Sequence, residues 1–311
     1  MADFPRISGL YTAPVTPVDD DGRVDAPRLR ELIDFLLDGG TKGFCFGGGT
    51  SEYPYFELSE RKRYLETASD HVGDRAPYVV SVGAPTVRGV IELGEHAIEH
   101  GAQALLIPMP YFYRYDQHDL VAYVRYVTAH LDHPCLLYNL ARFTNPLEPQ
   151  TALRLLREIP HLIGIKDSSL DKAAMQTYAD AKPSDAWSLI CGGDHLIFQA
   201  LEAGWDGTIS GTACACPELV AILVYRHRSG NTAGARVAQQ LLNELVETVR
   251  SMPGAWAVRV ALEVRGLPNG PFPYPVAAER NVDDLRAFYA EWFDEHLPAL
   301  RDEVAAINEE K

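Results

Sequence analysis

Leu162-Ile163-Gly164-Ile165-Lys166-Asp167-Ser168-Ser169 is a short apolar run that stops at a lysine and opens into polar residues. A nearly continuous run of this length reads as a strand buried on both faces. Similar runs precede it, Ala104-Leu105-Leu106-Ile107 and Cys135-Leu136-Leu137-Tyr138. Extended outward, the pattern predicts strands at 9–15, 43–46, 77–82, 103–107, 134–138, 162–166, 187–191 and 206–210. Helices are predicted near 26–38, 58–72, 86–100, 117–131, 149–157, 170–181, 195–203 and 216–229, with Gly and Pro at the joints. Eight strand–helix units in about 220 residues match an α/β protein of the (β/α)8 TIM-barrel type. A doubly wound sheet is the alternative, but a GxGxxG opening the first helix is absent. Residues 1–230 are therefore expected to form the barrel with its active site. The helix-rich stretch 231–311, with a Pro/Gly-rich loop at 266–275, is expected to pack on it as a helical C-terminal extension.

Composition narrows the partners. The 311 residues are 47% apolar and carry 28 Lys plus Arg against 43 Asp plus Glu, a net charge of −15. That balance repels polyanions, and the densest basic cluster is only Arg61-Lys62-Arg63, so no nucleic-acid partner is expected. No apolar run reaches the roughly 18 residues of a membrane helix. The N-terminus lacks the basic and apolar regions of a signal peptide. Five scattered cysteines suit reduced thiols. Together these point to a cytoplasmic protein without membrane contact.

In a barrel of this kind the chemistry sits at the C-terminal strand ends. Those ends are Gly47-Gly48-Gly49-Thr50-Ser51-Glu52, Pro108-Met109-Pro110-Tyr111-Phe112-Tyr113-Arg114, Tyr138-Asn139 with Arg142 after it, Lys166-Asp167-Ser168, Gly192-Gly193-Asp194 and Ser210-Gly211-Thr212. Lys166 is one of only six lysines and the one at the end of a buried strand. Desolvation is expected to lower its pKa and expose a nucleophilic amine that condenses with ketones. The other reading is a structural lysine paired with Asp167 or another strand-end carboxylate. Tyr138 is either a proton shuttle or a core aromatic. The Gly-rich loop before Thr50-Ser51 is either an anion-holding nest or an ordinary turn. His96 and His100, spaced i,i+4, present a possible metal pair without HExxH order and without a third ligand in sequence reach, so no metal is expected. Cys214-Ala215-Cys216 lacks CxxC spacing and reads as packing.

These residues resemble the dihydrodipicolinate synthase / N-acetylneuraminate lyase superfamily of class I, Schiff-base aldolases. The resemblance rests on Gly9-Leu10-Tyr11-Thr12-Ala13-Pro14-Val15-Thr16-Pro17, the loop ending in Glu52, Pro110-Tyr111, Tyr138-Asn139, Gly164-Ile165-Lys166-Asp167-Ser168-Ser169, Gly192-Gly193-Asp194 and Gly207 to Ala213. It implies a homotetramer of barrels with Lys166 forming the imine and Tyr138 relaying protons. Gly49, Thr50 and Ser51 would hold the carboxylate of a 2-oxo acid, and the Ile209 carbonyl would lie near the imine. Tyr111, Phe112 and Arg142 would complete the substrate site. The chain departs from the pattern at Gly49, where the family has a hydroxyl, at Phe112, where the synthases have a second tyrosine, and at Phe143, where they place an arginine. The expectation is a cofactor-free, pyruvate-forming lyase or aldolase acting on a 2-oxo acid, but not an efficient dihydrodipicolinate synthase. Dehydration of a deoxy-keto sugar acid through the same imine is the runner-up, followed by a catalytically silent 2-oxo-acid-binding barrel.

Overall fold

The computed structural model describes residues 4–183, 187–277 and 279–309; the C-terminal Lys311 and the rest lie outside them. Eight parallel strands close into a barrel in chain order: β1 (Gly9–Thr12), β2 (Gly43–Phe46), β3 (Tyr78–Ser81), β4 (Ala104–Pro108), β5 (Cys135–Asn139), β6 (Leu162–Asp167), β7 (Ser188–Cys191) and β8 (Gly207–Ser210). The helices α1 (Ala26–Asp38), α2 (Leu58–Val72), α3 (Val87–Glu99), α4 (Gln117–His130), α5 (Pro149–Glu158), α6 (Lys172–Ala181), α7 (Ile197–Glu202) and α8 (Pro217–Arg228) alternate with them. Three more follow: α9 (Thr232–Arg250), α10 (Trp256–Val264) and α11 (Val282–Glu309). The expected (β/α)8 architecture is thus observed.

Two boundaries moved for physical reasons. The first strand was expected to run to residue 15. It stops at Thr12, after which Ala13 still donates to the Ser210 carbonyl, but Pro14 has no N–H to continue the ladder. The sixth helix was expected from residue 170. It begins at Lys172, because Leu170 is left-handed (φ +63°) and Asp171 caps the helix by accepting from the Ala173 and Ala174 amides.

Strand alternation divides the apolar residues into two cores. Tyr11, Cys45, Val79, Leu106, Leu136, Tyr138, Ile163, Ile190 and Ile209 fill the barrel interior. Leu10, Phe44, Phe46, Leu105, Ile107, Leu137, Leu162 and Ile165 pack outward against the helices. β6 breaks the alternation. Cys135 pairs with Leu162, yet Leu136 pairs with Gly164, so one extra residue is accommodated beside Ile163. Gly164 is required there, since a Cβ on it would lie 2.0 Å from the Ser188 carbonyl oxygen. The bulge changes which residues of β6 face inward near its C-terminal end.

Candidate active site

The bulge decides the central contact. Counting straight on from Cys135 and Leu162, Tyr138 would face Ile165. With the extra residue, Tyr138 pairs with Lys166 and Asn139 with Asp167. Both Tyr138 and Lys166 are buried, and the Lys166 Nζ stands 4.2 Å from the centroid of the Tyr138 ring. The lysine stem passes Gly192, where a Cβ would come within 2.8 Å of Lys166 Cε and 2.1 Å of Ser168 Oγ. A glycine after β7 is therefore the condition for Lys166 to reach the barrel mouth.

Lys166 is not the structural lysine of the alternative reading. Asp167 Oδ1 accepts from the Ser169 amide and hydroxyl at 2.8 and 2.5 Å, and Oδ2 from Asn139 Nδ2 at 2.9 Å. The carboxylate thus ties β5 to the loop after β6. No ion pair among the described residues includes Lys166. Its protonation corrects the expectation. Burial disfavours the ammonium, but Tyr138, Cys45 and Asp194 facing it outweigh that effect and hold the amine above its ordinary range. At rest Lys166 is an ammonium ion, and a proton must leave it before it can act as a nucleophile.

Among the buried polar atoms without a hydrogen-bond partner in the described residues are Ser168 Oγ and Asp194 Oδ1, which follow β6 and β7. Buried polar atoms are normally paired, so these two are candidates for contact with a bound molecule. Asp194 is aimed by its neighbours. Its Oδ2 accepts from the Thr212 amide at 2.9 Å, and its carbonyl accepts from Gln239 of α9 at 2.9 Å. Sequence reasoning located both residues at strand ends but assigned them no role.

The Gly-rich loop crosses the mouth between β5 and β8. A Cβ on Gly49 would have one neighbour within 4 Å, the Tyr138 hydroxyl at 3.9 Å. The position of the absent hydroxyl is therefore open space beside that phenol. Thr50 sits at the end of β8, its Oγ1 close enough to Gly211 to exclude a side chain there. Ser51 is used differently from the expectation. It is buried, its hydroxyl donates to the Pro14 carbonyl at 2.7 Å and its amide closes a turn on Gly48. Ser51 thus anchors the loop, and its hydroxyl is already engaged. Ile209 lies inside the barrel, one residue past the last β7–β8 pair.

The outer residues spread apart. Tyr111 is half-buried, its ring edge-on to Tyr53. Phe112 is 88% exposed on a left-handed backbone (φ +76°), and Arg142 is exposed with its guanidinium over Phe143. A cavity of about 1160 Å³ lies beside the mouth between the β3 and β4 loops and helices α3 and α4. Tyr111 and Phe112 line it, whereas Lys166 and Tyr138 do not.

Besides Gln239 of α9, the C-terminal helices reach the site through a buried pair that sequence reasoning missed. Arg259 of α10 bonds Glu52 Oε2 at 2.8 Å, the Thr16 carbonyl at 2.7 Å and Asn269 Oδ1 at 2.9 Å. Both partners are 1% exposed, and Glu52 is left-handed (φ +55°). The pair spans 207 residues, so no local pattern announces it.

Comparison with known proteins accords with this geometry. The model of the Dihydrodipicolinate synthetase family matches residues 6–287. The chain belongs to that family. It is 32% identical over 279 residues to a DapA-like lyase from Halobacterium salinarum, covering 89% of this chain and 90% of that one. It is 30% identical over 280 residues to the 4-hydroxy-tetrahydrodipicolinate synthase of Methanopyrus kandleri, covering 89% and 93%. Among solved structures, YagE from E. coli K12 in complex with pyruvate superposes with a TM-score of 0.85 at 25% identity, covering 93% and 98%. Members of the Dihydrodipicolinate synthetase family are class I aldolases and lyases, and this chain is an enzyme of that type.

Proposed function

We propose that this enzyme is a pyruvate-forming lyase that cleaves a hydroxylated 2-oxo acid through an imine on Lys166. The observation that carries the reading is the buried, ion-pair-free Lys166 beside Tyr138, facing the unpartnered Ser168 and Asp194. The amine attacks the substrate ketone after losing one proton, and the carbinolamine expels water to leave a protonated imine. That imine accepts the electron pair of the C3–C4 bond as the C4 hydroxyl gives up its proton and becomes an aldehyde. The resulting enamine takes a proton at C3, and water then releases pyruvate and restores the amine. Tyr138, whose ring centroid lies 4.2 Å from the amine, serves as the relay. Thr50 and the loop amides hold the carboxylate. Ser168 and Asp194 suit the hydroxyls of a longer chain.

The same polar pair favours a second reaction, dehydration of a deoxy-keto sugar acid, in which the imine leads to loss of a hydroxyl instead of C–C cleavage. Product analysis separates the two, because only cleavage releases pyruvate and an aldehyde. Efficient dihydrodipicolinate synthesis is not proposed, since Gly49 places open space beside Tyr138 and Phe112 points outward. A coupled reductase assay with pyruvate and aspartate semialdehyde giving kcat/KM of about 10⁴ M⁻¹s⁻¹ or more would overturn that part.

The proposal extends to organisation. Residues 231–311 act as a brace on the barrel of residues 1–230, and the enzyme works as a cytoplasmic homotetramer. Supporting this are the Arg259 contacts, five buried free cysteines and the exposed rings of Phe112, Tyr113 and Phe143. No described helix is long and apolar enough to cross a membrane. Sedimentation velocity of the purified chain tests the assembly. The decisive experiment for the chemistry is borohydride reduction in the presence of pyruvate. One adduct at Lys166 is expected; labelling elsewhere, or equal labelling of Lys166→Ala, refutes the reading.

A further inference from the structure

The structure supplies what the sequence lacked around His96 and His100. Helix α2 runs beside α3 and brings Glu66 to the histidine pair. One ring nitrogen from each histidine and a Glu66 carboxylate oxygen all lie within 4.8 Å of one another. The three residues are half-buried, so the cluster is both shaped and open to solvent. Its place is the outer layer near the N-terminal end of β3, where Tyr78 donates to the His100 carbonyl. That is the end of the barrel opposite Lys166.

The ring orientations suit a cation. His100 Nδ1 lies 2.8 Å from the His96 carbonyl. Only an N–H can bond that oxygen, so Nε2 is the nitrogen of His100 that is left to ligate. Metal-binding histidines are oriented by this kind of backbone bond through the second ring nitrogen. His96 Nε2 is 3.2 Å from Glu66 Oε1, yet it is buried and makes no aligned hydrogen bond. A buried ring nitrogen that faces a carboxylate without an aligned hydrogen bond is a poor ion pair and a good half of a metal site. Lys62, the nearby cation, is bonded to Glu92 at 2.7 Å.

We infer that Glu66, His96 and His100 form a binding site for a divalent transition ion of the zinc type, outside the catalytic centre. Two imidazoles and one carboxylate are ligands this class of ion accepts, with a fourth position open to water. Ligands about 2.0–2.1 Å from a tetrahedral ion sit roughly 3.3 Å apart, so small side-chain rotations close the cluster. The ion would clamp α2 to α3.

The test uses the tag-free, full-length chain, stripped with a chelator and titrated with zinc chloride by calorimetry. One zinc per chain is expected, together with a higher melting temperature in zinc that disappears in the variants. His96→Ala and His100→Ala should each weaken binding at least about tenfold, the lower end for losing part of a metal site. If metal-free His96→Ala is misfolded by circular dichroism, His100→Ala alone decides, because the His100 ring touches little more than the His96 carbonyl and ring. Pyruvate adduct formation at Lys166 should be unchanged in His100→Ala. Absence of saturable binding below about 100 µM zinc, or a loss of less than about tenfold in a folded histidine variant, overturns the inference.

Discussion

Lys166 and Lys182 are both withdrawn from solvent, and the barrel treats them in opposite ways. Lys182 follows α6 and bonds both oxygens of Asp206, at 2.8 and 2.7 Å. The same carboxylate accepts from Arg6 and from the Leu189 amide, so both of its oxygens are engaged. At the C-terminal end, Lys166 has no carboxylate in ion-pair range among the described residues, and Ser168 Oγ and Asp194 Oδ1 are without partners. The difference teaches where the fold is stabilised and where it is held ready for a ligand. Paired groups at the barrel floor maintain the closed sheet. Unpaired ones at the mouth carry a desolvation cost that a bound substrate offsets.

Substituting the two lysines alike sharpens this contrast most. Lys166→Met should abolish pyruvate trapping and turnover while lowering the unfolding midpoint less than Lys182→Met does, since it breaks no ion pair. Lys182→Met should keep turnover and lose stability. Equal melting behaviour in the two variants would erase the distinction. Next in size is Tyr138→Phe, which should fold normally and lose about 10²–10⁴ in kcat. Near-normal turnover in that variant returns Tyr138 to a packing role.

The brace gives the third effect. Arg259→Met leaves Glu52 buried without its partner, and breaking such a pair costs about 3–5 kcal/mol. Denaturant unfolding should show that loss, and KM should rise because the Gly-rich loop is released. At the floor, Asp206→Asn keeps the shape but strands Lys182, with an expected cost of about 3 kcal/mol and unchanged adduct formation; chemical denaturation and mass spectrometry check both halves. The smallest effect is Thr50→Val, which should weaken pyruvate binding by roughly 1–3 kcal/mol. An unchanged Kd would move the carboxylate site away from the loop.

The sign of the Lys166 shift gives a pH test of the same contrast. Its pKa is raised in the folded protein. Any stability this contributes is therefore fully present below the ordinary lysine value and lost as pH rises through the folded one. The free amine needed for attack becomes more abundant over the same rise. Adduct formation should thus accelerate from neutral to alkaline pH, and a rate that falls over that window would contradict the assigned direction.

Much of this was legible in the chain. Strands 43–46 and helices 26–38 and 58–72 follow from composition and caps alone, because buried parallel strands must be apolar on both faces. Lys166 and Tyr138 stood out as polar residues ending apolar runs. Ser51 did not reveal its use, since a hydroxyl beside a Gly-rich turn suits a ligand and a carbonyl equally well, and Pro14 becomes its neighbour only when the barrel closes. Glu66 joined His96 and His100 only through helix packing.

By itself, the sequence determined the order of elements, the end of the barrel at which chemistry gathers, and the family. These depend on local periodicity and on which residue follows each strand. The tertiary structure alone decided that Lys166 faces Tyr138 and not the helices. One extra residue beside Ile163 changes the register of β6. Gly164 permits it because the Ser188 backbone passes too close for any side chain. A register is a relation between strands, set by packing and cross-strand hydrogen bonds, and no single strand contains it.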